Sequence, residues 1–149
     1  MKKLILLFSA LLLALIVSAP VALAQGNAKR GPATGGASDP ELEKDSLHNL
    51  EVARQYFKLR KAYVAAIKRC EEVIAGNPAF SKMDEVLYIA GESSLRLSQG
   101  KGKQAASLSA EKLRDDAREY LTRLAREYPE SSFTKQSADD LKALGGPKE

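Results

Sequence analysis

Apolar residues recur at helical spacing in five successive blocks of the chain. Leu50, Ala53 and Phe57, with Leu47 beside them, mark a first helix over roughly residues 40 to 60. In "AYVAAIKRCEEVIAGNP" Tyr63, Ile67, Cys70 and Ile74 share a face filled by Ala66 and Val73, while Lys68, Glu71 and Glu72 point elsewhere. A third block aligns Met83, Leu87, Ala90, Ser94 and Leu97. A fourth aligns Leu113, Ala117, Leu121, Leu124 and Tyr128, and a last one Phe133, Ser137, Leu141 and Leu144. No stretch alternates with a period of two for long enough to propose a strand, so the expected fold class is all-α.

Punctuation supports these limits. Asp39 can cap the first helix, Pro40 suits its first position because the missing N–H would be unpaired there, and Glu41 and Glu43 favour the positive end of the helix dipole. The turn after it falls near Arg60-Lys61 with no glycine to mark it. Gly76 and Pro78 end the second helix, Ser81 is placed to cap the third, and Pro129 stops the fourth. Ser131 or Ser132 caps the last, which Gly145-Gly146 and Pro147 terminate. "QGKGKQAASLS", residues 99 to 109, reads as a loop. Gly91 in mid-helix suggests that a neighbouring helix comes close.

Upstream of this the character changes. "MKKLILLFSALLLALIVSAPVALAQ" has two lysines, an apolar run and Ala22-Leu23-Ala24, the layout of a secretory signal peptide over residues 1 to 24. Its apolar run is roughly 16 residues before Pro20, shorter than the ~20 that a membrane-spanning helix needs, so cleavage rather than anchoring is expected. Residues 25 to 38, "QGNAKRGPATGGAS", cannot bury enough apolar surface to offset chain entropy and read as a flexible leader. The helical domain then spans 39 to 145, with a tail over 146 to 149. The whole chain of 149 residues carries a net charge of +4; removing Lys2 and Lys3 from its 23 basic residues leaves 21 against 19 acidic, a net of +2. So small an excess gives no argument for nucleic acid or for strong membrane binding. The single cysteine, Cys70, excludes an intramolecular disulfide; its place on an apolar stripe favours a core thiol over a route to a covalent dimer.

The second and fourth helices align on the prolines that follow them. Twelve residues before Pro78 and Pro129 stand Ala66 and Ala117, eight before stand Cys70 and Leu121, and five before stand Val73 and Leu124; the prolines are 51 residues apart. Small residues where helices cross and proline at the inter-repeat turn are what stacked helical hairpins require. This pattern resembles the tetratricopeptide repeat. Leu50, Ala53, Phe57, Tyr63, Ala66, Cys70, Val73 and Pro78 match the first copy, with Arg54 where the family usually has glycine. Leu87, Ala90, Gly91, Ala117, Leu121, Leu124 and Pro129 match the second, whose helices are separated by about 14 more residues than in the usual 34-residue unit. More narrowly, "ARQYFKLRKAYVAAIKRCEEVIAGNP", "EVLYIAGESSLRL" and "LAREYPESSFTKQSADDLKAL" resemble the BamD family of the β-barrel assembly machinery and its Tol-Pal relative CpoB. The resemblance implies two helical hairpins plus a C-terminal solvating helix, a short α-solenoid, in a periplasmic protein that works in outer-membrane assembly or envelope maintenance.

It also implies a groove lined by the first helix of each repeat: His48, Glu51, Gln55 and Lys58, then Glu85, Tyr88, Glu92, Leu95 and Arg96. Mixed charge with Tyr88 and Leu95 suits an extended or helical peptide, so the expected partners are other envelope proteins or peptides, with self-association as a second way to bury the ends of so short a stack. No cofactor, metal or catalytic residue is expected. The chain has one histidine, no tryptophan, no glycine-rich phosphate loop and no G-x-S-x-G. Glu71-Glu72, Asp115-Asp116 and Asp139-Asp140 are adjacent pairs that diverge by ~100° on a helix and read as solvated faces. The alternative role is an envelope structural protein that meets the cell wall or a membrane surface through Lys101-Gly102-Lys103.

Overall fold

The computed structural model describes residues 39–148. The signal peptide and leader expected over residues 1 to 38 lie outside them. Among the described residues there are five α-helices and no strand: α1 (Pro40–Arg54), α2 (Tyr63–Gly76), α3 (Met83–Ser98), α4 (Ala110–Glu127) and α5 (Thr134–Ala143). Each helix packs on the next along the chain. The core is one cluster that runs from Leu50 in α1 to Leu144 after α5.

Helix α1 starts as its sequence directs. The Asp39 carboxylate accepts from Glu41 N–H at 2.9 Å, and Pro40 takes the first position. Its far end departs from regular geometry, since Gln55–Arg60 continues as π-helical turns and closes on Lys61, whose φ is 51°. A non-glycine residue in the left-handed region costs on the order of 1 kcal/mol, and this is how the chain reverses at a turn without glycine. Leu50 and Ala53 are fully buried as the periodicity requires, but Leu47 is 41% exposed, because no later element packs over the first half of α1 on that side.

The connection from α2 to α3 and the one from α4 to α5 are the same piece of backbone, repeated 51 residues on. Asn77 N–H donates to Val73 C=O, and Tyr128 N–H to Leu124 C=O. Phe80 N–H donates to Asn77 C=O, and Ser131 N–H to Tyr128 C=O. Met83 to Phe80 and Thr134 to Ser131 form a third matching pair. Pro78 and Pro129 sit just after the last helical carbonyls, where a missing N–H is no loss. The aligned residues Ala66, Ala117, Cys70, Leu121 and Leu124 are fully buried, and Val73 is 2% exposed.

Two expected caps fall elsewhere. Ser81 gives its hydroxyl to Glu43 on α1, and Lys82 is the N-cap of α3, with no side-chain cap bond. Ser131 Oγ accepts from Phe133 N–H at 3.2 Å and donates to Asp84 at 2.7 Å, tying the second turn to α3, while Phe133 itself is the N-cap of α5.

Helix α3 is the centre. Its residues from Val86 to Leu95 are all buried, polar ones included, because it packs on α2 and α4 and also touches α1 and the start of α5. Gly91 is what lets α4 come this close: a Cβ there would stand 2.7 Å from Cγ and Cδ2 of Leu121, which is itself fully buried. Overpacking of that kind costs roughly 1–3 kcal/mol and outweighs the helix propensity that alanine adds. Gly91→Ala is expected to lower stability by about that amount in chemical denaturation. Gly76→Ala, where a Cβ meets nothing within 4 Å, is expected to raise it by about 0.5 kcal/mol.

Candidate functional site

The nine residues expected to line a groove separate into two groups. His48, Glu51, Gln55 and Lys58 form an exposed stripe along α1 and its π-helical extension. A shallow cleft of about 210 Å³ between Glu51, Arg54, Gln55, Lys58 and Leu59 opens on this stripe. The α3 residues are not on an open surface. Tyr88, Glu92 and Leu95 are buried, Glu85 is half-buried, and Arg96 is the most accessible, with one third of its side chain exposed. They line no open groove, since the face that α3 turns toward α1 and α5 is filled by the chain's own side chains.

A row of aromatic rings does most of the filling. Tyr63 lies 5.9 Å from Phe57, Phe57 meets Tyr88 edge-on at 6.5 Å, and Tyr88 stacks on Phe133 at 4.6 Å with 16° between planes. The row thus joins α2, the π-helical turns, α3 and the start of α5. Pairs of this kind contribute on the order of 0.5–1.5 kcal/mol each beyond their buried area. Arg96 caps it, with its guanidinium 4.9 Å from the Phe57 ring and 5.6 Å from Tyr63, and donates to the Tyr63 hydroxyl at 3.2 Å. Burial pushes the Tyr88 hydroxyl up to about 12, with the nearby Glu92 adding to the shift.

Charges on α3 are matched internally. Glu85 receives a two-pronged bond from Arg54 on α1, Nε to Oε1 at 2.7 Å and Nη2 to Oε2 at 2.5 Å. Arg54, the departure from the repeat pattern, therefore fastens α1 to α3, and Glu85 raises its pKa further. Glu92 meets Arg96 through Oε1 alone, at 2.6 Å. Its Oε2 is buried with no donor, and so is Oδ2 of Asp140 on α5. Burial, then the neighbouring Glu92, raises the Asp140 carboxyl to about 6 from 3.8; Asp139 adds to this and Arg96 opposes it. Below pH about 6 this shift favours a proton on Asp140, the form that has a donor to offer Glu92.

Asp140, Phe57, Tyr63 and Phe133 were not among the expected site residues. The one signal for Asp140 was its pairing with Asp139, which reads as a solvated face; Asp139 is exposed and Asp140 is half-buried, as divergence along a helix allows. Cys70 is fully buried, and desolvation drives its thiol well above the usual range, which leaves it unreactive. Among the described residues no three His, Cys, Asp or Glu side chains converge to hold a metal ion, and no helix is long and apolar enough to cross a membrane. Leu97, Val64, Ile67, Leu108 and Leu113 floor a second depression of about 220 Å³ between α2 and the loop before α4, with Lys68 and Glu71 at its rim. No family model matches this chain, nor does any curated protein or solved structure.

The Glu92–Asp140 contact fixes a sign for pH dependence. Asp140 holds its proton to higher pH in the folded chain than in the unfolded one, so folding binds protons between pH about 4 and 6 and this contribution is lost as pH rises through that window. Asp140→Asn, neutral at every pH, is expected to melt close to the parent at pH 4 and above it at pH 7. Parallel melting curves across that range would show that the pair does not share a proton.

Proposed function

We propose that the chain is a short tetratricopeptide-like scaffold of the cell envelope, without enzymatic activity, that binds an extended or helical segment of another protein along the exposed stripe of α1. The observation that carries this reading is the 51-residue repetition of the helix–proline turn–helix unit, with the same positions buried in both copies. Stacked hairpins of this kind present the outer face of their first helices, and here only α1 keeps that face open. His48, Glu51, Gln55 and Lys58 carry both signs of charge and an amide, a mixture suited to peptide backbone and side chains. Export, a periplasmic location and kinship with BamD and CpoB remain part of the proposal, supported by the layout of residues 1 to 24 and by the repeat positions.

Photo-crosslinking amino acids placed at His48, Gln55 and, as a control, at exposed Lys135 of the full chain test the reading in cells that express it natively. The scaffold predicts a protein adduct of the same mass from positions 48 and 55 and none from 135. Adducts from position 135 alone, or from no position, would remove α1 as the binding face.

A further inference from the structure

Acidic residues are unevenly spread along this chain. Residues 52 to 70 contain six basic side chains and no acidic one, and residues 93 to 110 contain three and no acidic one. Helix α4, by contrast, interleaves both signs and pairs Lys112 with Asp116, Arg118 with Asp115 and Arg123 with Glu127. The fold brings the two acid-free stretches together. Lys103 N–H donates to Lys61 C=O at 3.0 Å, Gln104 Oε1 accepts from Ala65 N–H at 3.3 Å, and Gly102 lies against the Tyr63 ring with φ at 107°. A side chain at Gly102 would collide with Tyr63, at 2.7 Å, so glycine is what lets the loop close on this turn.

Lys58, Arg60, Lys61, Lys101 and Lys103 therefore share one end of the molecule, all exposed. Among the described residues none of the five enters an ion pair, and Arg60 lies 5.6 Å over the Tyr56 ring. Between them stands Leu59, 78% exposed, the most exposed large apolar side chain described. It gains nothing from water there.

We infer that this end of the molecule is a docking surface for an anionic phospholipid bilayer, with the five cations over the headgroups and Leu59 inserted among them. Cations alone would suit any polyanion. An exposed leucine flanked along the chain by two of them, Lys58 and Arg60, favours a surface with an apolar layer just beneath its charge, and the half-buried Tyr56 under Arg60 is suited to the same boundary. The patch lies at the turn after α1; it shares Lys58 with the stripe of α1, and every variant below leaves that residue unchanged.

Sedimentation of the full chain with vesicles tests this, using phosphatidylglycerol mixed into phosphatidylcholine against phosphatidylcholine alone, at low and high salt. Residues 1 to 38 are common to every variant, so differences between variants report the patch. Binding to the anionic vesicles is expected to fall on the order of a hundredfold in Arg60→Gln/Lys101→Gln/Lys103→Gln, by the usual contribution of three charges near such a surface. Leu59→Gln is expected to weaken it several-fold without changing its salt dependence, and both variants should melt as the parent does. The inference is overturned if the triple variant binds anionic vesicles as the parent does, or if Leu59→Gln changes nothing. Equally, it fails if the lysine-dependent binding is to single-stranded oligonucleotide or purified cell wall and not to vesicles.

Discussion

Helix α3 is enclosed by the rest of the chain, and that enclosure governs nearly every other feature. A helix buried from Val86 to Leu95 cannot leave its polar groups to water, so each must be answered from a neighbouring element or its own backbone. Glu85 draws Arg54 from α1, Glu92 draws Arg96 from its own next turn and Asp140 from α5, and Ser94 and Ser98 return their hydroxyls to Ala90 and Leu95 carbonyls. Only Ser93 Oγ and one oxygen of Glu92 lack a partner on this helix. The elements around α3 are thus held by specific bonds as well as by apolar contact.

The same constraint closes the face of α3. Stacked hairpins expose a continuous face only where each first helix has a free outer side. Here Tyr88 and Leu95 belong to the core, and the row of rings from Tyr63 to Phe133 crosses the space between α1, α3 and α5. The stripe of α1 and the end where Lys61 and Lys103 meet stay open.

Much of the architecture was legible in residue spacing. Ala66, Cys70 and Val73 against Ala117, Leu121 and Leu124 marked the matching buried positions of α2 and α4, because the proline turns and the helix contacts demand them whatever else surrounds them. Gly91 signalled the approach of α4 for a similar reason. Three things were not legible. Leu47 fits the stripe of α1 but meets no partner, since periodicity reports a face and not what covers it. The π-helical turns and the left-handed Lys61 leave no trace in a stretch without glycine or proline. On α3, Glu85, Glu92 and Arg96 gave an amphipathic pattern that suggested a solvent side, whereas Glu85 pairs with Arg54 and Glu92 with Arg96 within the fold.

If α3 is the element on which the others depend, its backbone must open only when the whole domain does. Native-state amide hydrogen exchange across residues 39–148 tests this directly. The account predicts that amides from Ile89 to Leu95 exchange last, with an opening free energy equal to that of global unfolding, while those of α5 open earlier because Phe133, Ser137, Leu141 and Leu144 are its few anchors. Exchange of α3 at the rate of α5, or ahead of α2 and α4, would contradict the central place given to this helix.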